Sequence, residues 1–305
     1  MNGEERPPRT RHRFVAIDGR RVFYREAGEP SAPTILLLHG APASSFMFRT
    51  LIPLLARDYH VIAPDYLGFG LSESPKAEDF DYTFAALAEG IDGLIQHLGV
   101  SHYAIYVQDY GAPVGWRLAL RRPTAITAVI SQNGNAYTAG FVPSFWEPLW
   151  SYAADPNTVT ERPLRAALSL DAFRWQYIHG EPDPSLVSPD AWHHDYDSML
   201  QRPGNVEVQL KLFREYPTNV ALYPAVHAWL RTSGVPVLAV WGRNDEIFAA
   251  AGAEAFRADS PDVRVELLDG GHFLLEAHVD EVATSVRAFL HDALTAQRPV
   301  PERAT

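Results

Sequence analysis

The spacing of apolar residues along this chain predicts a series of short strands separated by helices. Phe14 to Ile17 and Val22 to Glu26 flank Asp18-Gly19, a dipeptide that favours a tight turn, so the fold is expected to open with an antiparallel hairpin. The later strand candidates are apolar throughout: Thr34 to Leu38, Val61 to Ala63, Tyr103 to Val107, Ala128 to Ser131, Val235 to Trp241 and Val263 to Leu267. Runs of this kind belong to strands buried on both faces of a parallel sheet. Helical patterns lie between most of them. Ser44 or Ser45 is placed to cap a helix through Leu55 and Thr83 one through His97, Gly111 to Leu120 follows a strand directly, and Val279 to Leu290 closes the pattern. Such alternation implies a doubly wound, mostly parallel α/β sheet.

The alternation stops from about Asn135 to Arg231, where Trp, Tyr and Pro are frequent and no buried-strand run occurs. This stretch reads as a helical lid inserted into the sheet domain, because the strand–helix pattern resumes at Val235 and needs the first half of the chain for its partners. The expected organisation is a core of residues 1–134 and 232–305 with a lid of residues 135–231 between its two parts. The ends of the chain read as frayed tails.

Composition narrows the class. With 305 residues, 47% of them hydrophobic, the chain can bury a substantial core, and a large α/β fold absorbs roughly 250 residues as one unit. It contains no cysteine, which excludes disulfides, thiolate metal sites and a cysteine nucleophile, and suits a reducing compartment. Met1 to Arg13 lacks the apolar core of a secretory signal, and no run of about 18 apolar residues is present to span a bilayer. A cytoplasmic protein without a membrane partner is expected. The net charge of −11 and the scattered Lys and Arg argue against a nucleic-acid partner.

Four segments carry candidate chemistry. Val107-Gln108-Asp109-Tyr110-Gly111-Ala112 follows an apolar strand and precedes a helix, the setting of a nucleophile elbow, here with Asp at the exposed position. A helix start also favours an anion there, although Asp109 as a plain helix cap would look the same. His39-Gly40-Ala41-Pro42 follows the strand ending at Leu38 and can aim the Ala41 N–H at the point reached by the Tyr110 N–H, making an oxyanion hole. Asp245 lies just beyond one strand in Trp241-Gly242-Arg243-Asn244-Asp245, and His272 beyond the next in Gly270-Gly271-His272-Phe273. Each motif alone suits an ordinary turn. Four in this order, each at a strand end, point to a triad of Asp109, Asp245 and His272.

Together with Asp65-Tyr66-Leu67-Gly68-Phe69-Gly70-Leu71-Ser72, these segments resemble the epoxide hydrolase and haloalkane dehalogenase branch of the α/β-hydrolases over nearly the whole chain. The resemblance implies an α/β-hydrolase fold with an inserted helical lid and a carboxylate nucleophile. Asp109 would displace an epoxide oxygen or a halide to form an alkyl ester, and a water activated by His272, itself oriented by Asp245, would hydrolyse it. No cofactor or metal is required. The expected partners are a small apolar organic substrate and water, and the protein is expected to be a monomer or homodimer.

The two substrate classes differ in what the leaving group needs. An epoxide oxygen needs a proton donor, which the resemblance places on lid tyrosines; a halide needs N–H donors from Trp or Asn. Tyr223 is the first nominee, with Tyr152 or Tyr177 as the second, and Trp150, Tyr177 and His39 are nominated to contact substrate. Each of these aromatics is equally at home in packing. Ala41 and Tyr110 stand where many dehalogenases carry Asn and Trp, which favours epoxides, whereas Val107-Gln108 looks more like a dehalogenase. Asn133 stands where some dehalogenases place the triad acid; an amide cannot fill that role, so Asp245 is preferred. Epoxide hydrolysis is therefore expected, with dehalogenation as the alternative and a ligand-binding or receptor-like protein as the reading from another class.

Overall fold

The computed structural model of the protein describes residues 8–296. Most of the tails nominated at the two ends lies outside that range. Eight strands form one sheet: β1 (Arg11–Ile17), β2 (Arg20–Ala27), β3 (Thr34–Leu38), β4 (His60–Pro64), β5 (Tyr103–Gln108), β6 (Ile126–Gln132), β7 (Val237–Gly242) and β8 (Arg264–Leu268). Their order is β1-β2-β4-β3-β5-β6-β7-β8, with β2 antiparallel to β1 and β4 and the other neighbours parallel. The opening hairpin pairs Ile17 with Arg20 across Asp18 and Gly19, both at positive φ. That is the geometry a two-residue turn needs to follow the strand twist.

The central strands β3, β5 and β7 are buried at every position, as their unbroken apolar runs require. β8 departs from this expectation. It is the last strand of the sheet, and Arg264 to Leu268 run from exposed to half-buried.

Helices α1 (Leu51–Leu55), α2 (Phe84–His97), α3 (Gly111–Arg121), α4 (Pro143–Ala154), α5 (Thr158–Ala167), α6 (Leu170–Ile178), α7 (Pro189–Leu200), α8 (Asn205–Glu215), α9 (Pro217–Ser233), α10 (Ala251–Ala255) and α11 (Val279–Ala296) complete the chain. Thr83 caps α2, accepting from the Ala86 N–H at 3.0 Å. The helix expected from Ser44 or Ser45 to Leu55 is instead two pieces, a 3-10 turn over Ser45–Phe48 and the short α1. Pro53 accounts for the break: it has no N–H to give the Arg49 carbonyl, and its ring would clash there. α2 packs on α3 and α1 on α11, with α3 against β3 and β5 and α11 against β6 and β7. The six helices α4 to α9 are inserted between β6 and β7. No helix among the described residues is long and apolar enough to cross a membrane.

Candidate active site

The chain reverses direction between the end of β5 and the start of α3. Asp109 sits at the reversal with φ +48°, in the left-handed region that costs an L residue about 1–2 kcal/mol. The tight reversal needs Gly111, because a Cβ there would lie 2.0 Å from the Leu38 carbonyl oxygen. Asp109 faces a cavity of about 280 Å³ between the sheet edge and the helices of the insertion. The loop after β3 comes close on the other side. The Ala41 N–H donates to Asp109 Oδ1 at 2.7 Å, the Tyr110 N–H also donates to this carboxylate, and a Cβ on Gly40 would lie 2.4 Å from that of Asp109. The two nominated oxyanion donors therefore converge on one carboxylate.

His272 and Asp245 leave the ends of β8 and β7. His272 Nδ1 lies 2.8 Å from Asp245 Oδ2, and Nε2 lies 4.0 Å from Asp109 Oδ2. Asp245 is held tightly: Oδ1 accepts from the N–H groups of Ile247 and Phe248 at 2.7 and 3.1 Å, and Oδ2 accepts from Asn133 Nδ2 at 2.7 Å. Asn133, at φ +47°, accepts in turn from the Gly242 N–H. The residue set aside as a possible acid is thus a hydrogen-bond partner of Asp245, the residue nominated in its place.

All three ionisable groups are buried. Burial pushes the Asp109 carboxyl above its ordinary range, opposed by the His272 charge and by the Ala41 and Tyr110 N–H groups. Burial alone would lower the His272 pKa, but the charge and hydrogen bond of Asp245, with Asp109 beyond, carry it above the usual imidazole value.

The other nominated residues lie elsewhere. His39 is beneath the loop, fully buried, stacked on Tyr66 at 4.1 Å and bonded to the Gly40 carbonyl and the Tyr66 N–H. Tyr152 donates to Glu161 at 3.4 Å and ties α4 to α5. Tyr177 stacks on Phe273 at 3.9 Å and donates to the buried Asp195, which also accepts from Ser44 Oγ at 3.0 Å, so this group joins the insertion to the loop after β3. Trp150 packs against Phe141 and Trp146 and lines a separate, open depression on the insertion. Tyr223 is buried between Phe141 and His227 and is not on the cavity wall.

Three residues not nominated for the site lie near it: Gln108 and Gln132 against His272, and Tyr216 against Tyr110 and Trp146. Tyr216 ends α8, its ring 4.5 Å from that of Trp146 and 5.9 Å from that of Tyr110. Burial raises its hydroxyl pKa, reinforced by Tyr223 and by the Asp109 charge. Among the described residues that hydroxyl has no hydrogen-bond partner. Its signal was Pro217, which forces a break between two helices at Tyr216. Gln108 Nε2 lies 2.8 Å from His272 Nε2, while Gln132 donates to the His272 carbonyl and accepts from Tyr106. Gln108 and Gln132 pair across β5 and β6, and each precedes a residue at positive φ. Each closes its strand, a place that tells nothing of the histidine it meets.

A buried carboxylate with two N–H donors, beside a histidine oriented by a second carboxylate, is equipped for nucleophilic attack followed by hydrolysis. The profile of the alpha/beta hydrolase fold matches residues 33–279, and the chain belongs to this family of hydrolases. It is 47% identical over 280 residues to an uncharacterized hydrolase of Saccharomyces cerevisiae, covering 90% of this chain and 95% of that one. Haloalkane dehalogenase 2 of Mycobacterium tuberculosis is 30% identical over 272 residues, 87% of this chain and 90% of its own. The solved structure of the epoxide hydrolase CorEH shares the fold, with a TM-score of 0.77 at 20% identity over 93% of this chain and 99% of that one.

Proposed function

We propose that this hydrolase opens epoxides to vicinal diols through an alkyl ester on Asp109. Asp109 Oδ2, the oxygen not bonded to Ala41, attacks a ring carbon as the C–O bond breaks. The released oxygen takes a proton from a tyrosine hydroxyl, for which Tyr216 is the nominee. Esterification discharges a carboxylate that burial disfavours, so part of the burial penalty is relieved in the reaction. His272 Nε2 then takes a proton from water, which attacks Asp109 Cγ while Ala41 and Tyr110 stabilise the oxyanion. Collapse expels the diol oxygen, which takes the His272 proton. The remaining proton passes from the Asp109 carboxyl to the tyrosinate, and all groups are restored.

The observation that favours an epoxide over a halide is that the two residues whose backbone N–H groups meet Asp109 carry no side-chain N–H. Positions 41 and 110 are Ala and Tyr, and the indole N–H of Trp146 on the cavity wall is taken by the Ile247 carbonyl at 2.8 Å. An unpartnered tyrosine hydroxyl suits an alkoxide that must be protonated. Identity to a haloalkane dehalogenase supports the second reading, dehalogenation by the same first step.

One experiment separates them. His272→Gln is incubated with a panel of terminal epoxides and haloalkanes, and its intact mass is recorded. A gain equal to the whole epoxide, absent from Asp109→Asn, is expected. A gain of the alkyl group without halogen overturns the epoxide reading, and no adduct on any compound overturns covalent catalysis by Asp109.

A further inference from the structure

The cavity over Asp109 has mostly apolar walls, with Phe145, Leu149, Leu164 and Phe173 among them, yet two carboxamides open onto it: Gln209 from α8 and Gln176 from α6. Gln209 is 1% exposed, and its Nε2 has no hydrogen-bond partner. Neither amide is bonded to any other group among the described residues. A buried carboxamide offers two donors and an acceptor, and leaving them unmade is costly, so such groups are normally paired inside proteins. Gln209 does not stitch the insertion together as Tyr152 and Tyr177 do. Phe213, one turn further along α8, reaches the same wall, so the helix presents this face to the cavity.

We infer that Gln209 is a specificity-determining residue that reads a second polar group on the substrate, away from the reacting ring. This rests on the epoxide reading of Asp109. The substrate class becomes a small functionalised epoxide whose chain carries an ether, hydroxyl or carbonyl oxygen to meet the amide. The cavity, at about 280 Å³, lies at the bottom of the range for small-ligand sites, which keeps that molecule small. A site that pairs its own buried polar group with the substrate discriminates against the analogue lacking it, because that analogue leaves the group unsatisfied.

The test uses terminal epoxides of equal chain length in which one methylene at successive positions is replaced by an ether oxygen, with the all-carbon epoxide as reference. Wild type is expected to favour one ether isomer over the reference by about 10- to 100-fold in kcat/KM. Gln209→Met, close in volume but without the amide, should lose that preference while keeping turnover of the all-carbon compound. An unchanged preference in Gln209→Met, or an equal loss on every compound, overturns the assignment. Calorimetric binding of unreactive alcohols and ketones against alkanes of equal length is measured on the same two proteins. If no epoxide is turned over, the epoxide reading fails, and binding alone decides the role of Gln209: a polar preference lost in Gln209→Met upholds it, and no preference removes it.

Discussion

Exchanging the carboxylate and the amide at positions 245 and 133 tests the triad most directly. His272 Nδ1 and Asn133 Nδ2 lie 2.8 and 2.7 Å from the same oxygen, Asp245 Oδ2, so they are at most about 5.5 Å apart. In Asp245→Asn, the amide oxygen keeps the N–H groups of Ile247 and Phe248, which turns its NH2 group toward His272 Nδ1 and favours the wrong tautomer. It also removes the charge that stabilises the imidazolium. At an effective dielectric constant of about 20, a unit pair at 2.8 Å is worth about 6 kcal/mol, a loss of ~10⁴ in rate, in line with carboxylate-to-amide changes in other triads. Adding Asn133→Asp returns a charge within about 5.5 Å of the ring, worth at least about 3 kcal/mol, and should recover ~10². Asp tolerates the left-handed backbone at 133 as Asn does. The assay is single turnover: epoxide is mixed with excess enzyme, and the alkylated fraction is followed by mass. Formation of the ester should change little in either variant, while its decay slows and is partly restored. A double variant no faster than Asp245→Asn, or a single variant that loses less than about tenfold, would refute the assignment of Asp245.

Further outcomes follow from the same geometry. Asp109→Gly should abolish activity yet raise stability by about 1–2 kcal/mol, read from the urea midpoint, because it removes a strained backbone and a buried charge; an unchanged or lower midpoint contradicts this. Gln108→Leu removes the N–H donated to His272 Nε2, which favours the neutral ring, so the acidic limb of ester hydrolysis should move to higher pH; a limb that stays in place or moves lower argues against that bond in solution. Burial pushes the Asp195 carboxyl up to about 8, with the Tyr177 and Ser44 hydrogen bonds opposing. The folded state therefore keeps a proton that the unfolded chain has released, and its stability declines from about pH 4 to about pH 8. In Asp195→Asn that decline should shrink, so the Tm difference between variant and wild type should grow in the variant's favour as pH rises.

The parts of this protein that were legible in its sequence are those set by local rules. Apolar runs marked strands buried on both faces, Asp18-Gly19 marked the hairpin, and the strand-end positions of Ala41, Asp109, Asp245 and His272 followed from where each run stopped. The inserted helices were harder. Which of 13 tyrosines approaches Asp109 depends on how each helix is rotated and where Pro217 interrupts α8, and no periodicity of the chain reports this. Gln108 and Gln132 were missed for a related reason. Their meaning lies in contacts with a histidine more than a hundred residues away, and a glutamine ending an apolar strand has no distinguishing pattern of its own.

The strand ends supply the reacting groups in the order in which the proposed reaction uses them. Residues before the insertion carry Asp109, which takes up the electrophile, and the insertion carries Tyr216, the proposed proton donor; residues after it carry Asp245 and His272, which act only in release. A chain cleaved between Tyr216 and β7 would thus divide attachment from release, so two fragments that reassociate should recover turnover together. The amino-terminal fragment, if it folds, has the means to be modified once and none to recover.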